Sequence, residues 1–117
     1  MDIRQIRAYI LGKKDAVEDY PFGPEDMTAK VGGKIFAFVN DRTEPFSIAL
    51  KCEPTHVQYL RDTYTAISIA PYLSKVHWNR IIIDNSVPDD EIIAMIEESY
   101  RLVVAGLTRA QRAALQQ

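Results

Sequence analysis

Hydrophobic positions recur along the chain with two spacings, one typical of helices and one typical of strands. Apolar residues three to four apart predict a first helix over residues 2–11 that stops at Gly12. Two further helices follow the same spacing, one opened by Pro54 and one that ends at Gly106. We expect Ser86 to cap the start of this last helix through its side chain.

Alternating apolar and polar positions predict five strands. They cover residues 16–20, 27–31, 34–40, 46–52 and 76–84. The second and third form a hairpin, because the Gly-Gly pair between them supplies the positive φ of a two-residue turn. In a regular register Ala29 faces Phe36, which places Phe36 on the same face as Lys34 and Phe38.

The order of these elements indicates the fold class. Consecutive strands joined by short turns predict an α+β fold of two layers, a twisted antiparallel sheet with helices on one face. The 117 residues, of which 47% are hydrophobic, suit one domain spanning residues 1–117. No apolar run approaches the ~20 residues that span a bilayer, so we expect no membrane contact. The lone Cys52 fits a reducing cytoplasm, where we expect the protein to be located.

Charge and motifs exclude several functional classes. The net charge of −2 and pI of about 5.6 argue against a generally basic nucleic-acid binder, so any such contact requires a local basic patch. The chain has no P-loop, Rossmann glycine fingerprint or nucleophile elbow, and its two histidines and one cysteine make no zinc pattern. Cys52 alternates with the apolar Leu50, which indicates a buried structural thiol. We therefore expect a non-catalytic protein without metal or cofactor.

Five short segments carry a resemblance to a known family. They are DYPFGP at residues 19–24, VGGKIF at 31–36, LKCEP at 50–54, KVHW at 75–78 and SYRLVV at 99–104. In this order and spacing, the chain resembles the MmcQ/YjbR family along nearly its whole length. The resemblance implies a CyaY-like fold and a double-wing arrangement in which the open sheet face contacts double-stranded DNA. Val76 departs from the pattern, since such chains often carry a basic or polar residue there.

The candidate site consists of basic and aromatic side chains expected on the open face and at the hairpin tip. These nucleic-acid-binding candidates are Lys30, Lys34, Phe36, Lys51, Lys75, His77, Trp78 and Arg80. The cations would contact phosphates and the aromatic rings would lie beside them as platforms. Because adjacent strand residues alternate, we expect Trp78 and Arg80 on the open face and His77 on the other. Few side chains suited to reading base edges predict weak sequence specificity.

Other interpretations of the same residues stay open. The cations could be solvated charges that protect sheet edges from aggregation. Trp78 could be structural, covered by Tyr72 or by residues 20–22. Alternatively, the open face around Trp78 could be a protein-interaction or homodimer surface. The acids within residues 15–26 could bind a cation in the manner of frataxin-like proteins, but the first helix is basic, which favours solvated loop charge.

Overall fold

The computed structural model describes residues 1–115, which form four helices and one six-stranded sheet. The helices are α1 (Ile3–Leu11), α2 (Pro54–Thr63), α3 (Asp89–Ala105) and α4 (Arg109–Ala113). The strands are β1 (Val17–Asp19), β2 (Met27–Val31), β3 (Lys34–Asn40), β4 (Ser47–Lys51), β5 (Ile67–Ile69) and β6 (Trp78–Ile82). Their order in the sheet is β1-β2-β3-β4-β6-β5, and every neighbouring pair is antiparallel. None of the helices in this part of the chain is long and apolar enough to cross a bilayer.

Alternation along the central strands separates a helix-covered face from an open face. On the helix-covered face, side chains of the central strands pack with isoleucines of α1 and α3 in one core. The core includes Ile6, Ile10, Val39, Ile48, Leu50, Ile81 and Ile96. Each of these side chains is at most 2% exposed. The predicted α+β arrangement of two layers is confirmed, and it leaves the other face of the sheet without a helical cover.

Helices α1 and α3 begin in different ways. α1 has a capping box, in which the Asp2 carboxylate accepts the Gln5 N–H at 2.8 Å and the Gln5 side chain accepts the Asp2 N–H. The predicted cap of α3 by Ser86 is wrong. The Ser86 hydroxyl instead donates to Asp84 at 2.5 Å within the preceding turn, and Pro88 occupies the cap position.

A β-bulge in β3 changes the predicted register of the hairpin. Val31 faces Lys34 as expected, but Ala29 faces Ala37, so Phe36 is an extra residue on its strand. Its ring is fully buried and packs edge-on against Tyr100 of α3, with centroids 5.2 Å apart. The prediction that Phe36 lies on the open face is therefore wrong.

Ser99 of α3 satisfies the backbone groups that the bulge leaves unpaired. The paired register of β3 and β4 stops at Ala37 and Leu50. Beyond that point the buried Ser99 hydroxyl accepts the Lys51 N–H at 2.8 Å and donates to the Phe36 carbonyl at 2.5 Å. The hydroxyl thus takes the place of a direct bond between the strands, and buried backbone groups require such a partner.

The segment before β6 differs most from the sequence prediction. β5 lies outside the five predicted strands, and β6 begins at Trp78 rather than near residue 76. His77 lies exposed in a turn, in which the Trp78 N–H donates to the Ser74 carbonyl at 3.0 Å, so its predicted place on a strand is wrong. Arg61 of α2 holds this turn by donating to the carbonyls of Lys75 at 2.6 Å and Trp78 at 3.1 Å.

Candidate functional site

The register of the central strands places polar and aromatic side chains in rows on the open face. Phe38, Ala49 and Arg80 lie opposite one another across β3, β4 and β6. The adjacent row pairs Lys51 with Trp78. Trp78 and Arg80 therefore share the open face, as the alternation predicted.

Three rings form a continuous aromatic row on this face. Trp78, which is half-buried, meets Phe38 edge-on with centroids 5.6 Å apart. Phe38 in turn stacks with Phe22 at 6.1 Å and an interplanar angle of 24°. Phe22 belongs to the turn after β1 and remains 63% exposed. Contacts within the chain thus cover only part of the surface of these rings.

An open-face cleft of about 540 Å³ lies beside the aromatic row. Phe38, Ala49 and Arg80 line it from the sheet, whereas Phe22 and Tyr72 line it from the two loops that flank the sheet. Tyr72 is fully exposed and has a φ of 66°, in the left-handed region that few non-glycine residues adopt. The remaining polar lining is Asp26, Asn40 and Ser47. The volume is in the range of ordinary ligand sites, about 300–1,000 Å³.

The candidate cations divide according to whether a carboxylate neutralises them. Lys30 lies 2.7 Å from Asp19, and this hydrogen bond holds the pKa of the Asp19 carboxyl below its usual value. Four others have no ion pair with a carboxylate of residues 1–115. They are Lys34, Lys51, Lys75 and Arg80. These four are free to contact an external anion.

The basic residues also cluster along the direction of the strands. β3 begins, β4 ends and β6 begins at the same end of the sheet, so Lys34, Lys51 and the turn with Lys75 lie there. We call this the basic end. The opposite end carries acids in the turns after β3 and β6, among them Glu44 and Asp84.

Lys34 differs from the other candidates because the bulge turns it to the helix side of the sheet. It shares the side of the buried Val31, and with Lys51 it lines a recess at Gly106, where α3 ends. The carbonyl end of a helix carries partial negative charge, which cations stabilise. Lys34 thus has a structural environment of its own at the hairpin tip, away from the cleft.

The single cysteine, Cys52, is buried near Glu98 of α3. Burial, followed by the nearby Glu98 carboxylate, raises the pKa of the Cys52 thiol to about 12. A thiol in this environment stays protonated at neutral pH, whereas nucleophilic cysteines need thiolate character. Within residues 1–115, no group of three or more His, Cys, Asp or Glu side chains is arranged to hold a metal ion.

Comparison with known proteins identifies the family. The sequence profile named YjbR matches residues 11–102. The chain belongs to the YjbR family. The uncharacterized protein YjbR of Escherichia coli K12 is 26% identical over 117 residues, which cover 100% of this chain and 99% of that protein. The uncharacterized protein YbdF of Escherichia coli O157:H7 is 33% identical over 91 residues, or 77% of this chain and 74% of that protein.

Solved structures with 25–27% sequence identity share the fold. The crystal structure of a Deinococcus radiodurans protein with the domain DUF419 superposes with a TM-score of 0.88 and 27% identity, covering 97% of this chain and 86% of that one. A Pseudomonas syringae crystal structure superposes with a TM-score of 0.77 and 25% identity, covering 88% and 99%. The family resemblance and the fold expected from it are thereby confirmed.

The structure selects among the predicted site residues and adds two. It brings Lys51, Trp78 and Arg80 together on the open face, with Lys75 and His77 in the adjoining turn. The sequence prediction omitted two exposed rings of the cleft, Phe22 and Tyr72. Each follows a proline in a loop. This Pro-aromatic pairing outside any predicted element was the available signal, because such a ring has no regular neighbour to bury it.

Proposed function

We propose that the protein is a non-catalytic, cytoplasmic DNA-binding protein that contacts double-stranded DNA through its open sheet face. The observation that carries this proposal is the set of unpaired cations on and beside the open face. Lys51 and Arg80 flank Trp78 on the face that no helix covers, and Lys75 adjoins them. Cations that contact phosphates supply most of the sequence-independent affinity for DNA.

The distribution of charge supports this proposal despite the net charge of −2. The first turn of α3 is acidic through Asp89, Asp90 and Glu91. The unpaired cations are instead gathered at and near the basic end of the sheet. A polyanion is attracted by the local potential of such a patch. This grouping of unpaired cations gives the open face a local positive charge, although the net charge of the chain is negative.

The same face offers little means of reading a base sequence. Specific contacts to base edges come mainly from Arg, Lys, Asn and Gln side chains. At the cleft only Arg80 and Asn40 belong to these types. We therefore expect binding that depends on phosphates and varies little with sequence.

Fluorescence anisotropy of a labelled random duplex, repeated at several salt concentrations, tests the proposal. The three unpaired cations on or beside the open face, Lys51, Lys75 and Arg80, predict that log affinity falls with log salt at a slope of roughly −2 to −3, from about −0.9 per phosphate contact. Replacing Lys51 and Lys75 with glutamine removes two contacts and should reduce the slope by about 2.

The control for this experiment changes the net charge equally on the helical side. Arg4 and Arg101 are exposed on α1 and α3, away from the open face. The double variant Arg4→Gln, Arg101→Gln should leave the slope unaltered. Absence of duplex binding at low salt, where electrostatic attraction is strongest, would refute double-stranded DNA as the ligand.

A second candidate function is protein interaction or homodimerisation through the same face. It is favoured by two exposed rings that line the cleft, Phe22 and Tyr72, and by the exposed Val76 in the turn before β6. Size-exclusion chromatography with light scattering distinguishes it from DNA binding. A dimer that dissociates in both the Trp78→Ala and Tyr72→Ala variants, together with no affinity for DNA, would establish this alternative.

A further inference from the structure

A duplex would use only part of the open face. Bases in a duplex are stacked inside the helix and present their edges, so they offer no ring faces to a protein. Two of the exposed rings described above, Phe22 and Tyr72, would then contribute little to the affinity for a duplex. Unstacked bases, in contrast, stack on aromatic side chains in most proteins that bind single strands.

We infer that the open-face cleft binds an unstacked base of single-stranded DNA, with a neighbouring phosphate at Arg80. This inference rests on the proposed function, since it assumes that the open face binds DNA. It goes further by naming the form of the ligand and the place of one nucleotide. The base lies between the rings of Phe22 and Tyr72, and the strand continues toward the basic end.

The shape of the cleft supports a flat ring as its occupant. Phe22 and Tyr72 come from different loops, one after β1 and the other between β5 and β6. One face of the Phe22 ring stacks on Phe38, and the residue remains 63% exposed. The cleft of about 540 Å³ is large enough for a small ligand and is lined mainly by apolar side chains. Sequence-tolerant stacking needs no base-specific hydrogen bonds, because every base has a π face.

Arg80 distinguishes a nucleotide from a purely apolar occupant. It lies half-buried among the residues that line the cleft, and its guanidinium has no hydrogen-bond or ion-pair partner within residues 1–115. A neutral apolar partner would cover this charge without pairing it, which is unfavourable. A phosphate would form charge-assisted hydrogen bonds with the guanidinium. Charge complementarity therefore favours a ligand that joins an apolar ring to an anion.

The wall that carries Tyr72 is fixed before any ligand arrives. Arg61 donates to the carbonyls of Lys75 and Trp78, and the Leu73 N–H donates to the Ala70 carbonyl at 3.2 Å. A loop held in this way loses little conformational freedom on binding. The backbone on either side of Tyr72 is thus held by hydrogen bonds before a ligand binds.

The test compares a labelled oligothymidylate with a labelled duplex of equal length at the same salt concentration. We expect the single strand to bind more tightly than the duplex. Tyr72→Ala should weaken the affinity for the single strand by about 5-fold or more, since stacking contributes roughly 1–3 kcal/mol per base. Duplex affinity should not change in this variant. Fluorescence of the single Trp78 should be quenched by the oligothymidylate, because Trp78 adjoins Phe38 in the aromatic row.

Tyr59→Ala is the matched control, because Tyr59 is 66% exposed on α2 in the helical layer. Its affinity for the single strand should equal that of the wild type. If the duplex binds as tightly as the single strand and Tyr72→Ala has no effect, the inference fails while the proposed function stands. If neither ligand binds, both fail. Binding of the single strand alone would support the inference and overturn the duplex as ligand.

Discussion

Replacing Ser99 with alanine should destabilise the protein more than this small change in side-chain size suggests. The hydroxyl is the partner of two backbone groups on two different strands, the Lys51 N–H and the Phe36 carbonyl. Alanine would leave both groups buried beneath α3 without a partner. The substitution therefore tests whether a side chain of a helix completes the sheet at the bulge.

The expected loss follows from these two contacts. Each buried group left unsatisfied costs about 1–3 kcal/mol, so the pair costs roughly 2–6 kcal/mol. The higher helix propensity of alanine at position 99 offsets about 0.5 kcal/mol. We therefore expect the free energy of unfolding to fall by about 1.5 kcal/mol or more. For a domain of this size the melting temperature should fall by about 6 °C or more, at about 4 °C per kcal/mol.

Urea unfolding followed by the fluorescence of Trp78 measures this loss, since the chain has one tryptophan. Hydrogen exchange adds a local measurement, because the Lys51 amide should lose protection in the Ser99→Ala variant. Ser68→Ala is the matched control, as Ser68 is exposed on β5 and should change stability by less than about 0.5 kcal/mol.

One result would contradict this reasoning. If Ser99→Ala loses less than about 0.5 kcal/mol and the Lys51 amide stays protected, the two strands must pair directly without the hydroxyl. The bulge would then be a property of β3 itself.

Two further predictions concern the glycines of the turn between β2 and β3 and the buried thiol of Cys52. Gly32→Ala should destabilise the protein more than Gly33→Ala. Both glycines have positive φ, which an alanine adopts only with strain. A Cβ at position 32 would in addition lie 2.6 Å from Leu107, whereas a Cβ at position 33 would face open space. Equal losses in chemical denaturation would show that Leu107 simply moves aside. Cys52, whose pKa is raised to about 12 by burial and Glu98, should react with a thiol reagent at pH 8 only after unfolding. Rapid reaction of the native protein would contradict a buried, protonated thiol.

Elements with a strong periodic pattern could be predicted from the sequence. The isoleucine stripe of α1 and the Gly-Gly turn between β2 and β3 both appear where their spacing placed them. These features are local, since residue spacing and turn geometry determine them without reference to the rest of the chain. The family could be recognised for the same reason, because its segments are continuous in the sequence.

The errors arise where distant residues decide the local structure. The bulge at Phe36 depends on Ser99, which follows it by 63 residues. Both registers of the hairpin would place apolar side chains on both faces, so the pattern cannot distinguish them. Similarly, Arg61 shapes the turn that removes His77 from its predicted strand. β5 has three residues, too few for an alternation to be recognised.

The separation of charge along the strands gives the molecule an electric dipole within the plane of its sheet. Lys51 and Lys75 lie toward one pole, and Glu44 and Asp84 toward the other. Such a dipole aligns in the field of a polyanion before contact, which raises the fraction of productive encounters. A protein with net negative charge can in this way approach an anionic strand in one orientation, and each bound molecule would have the same polarity.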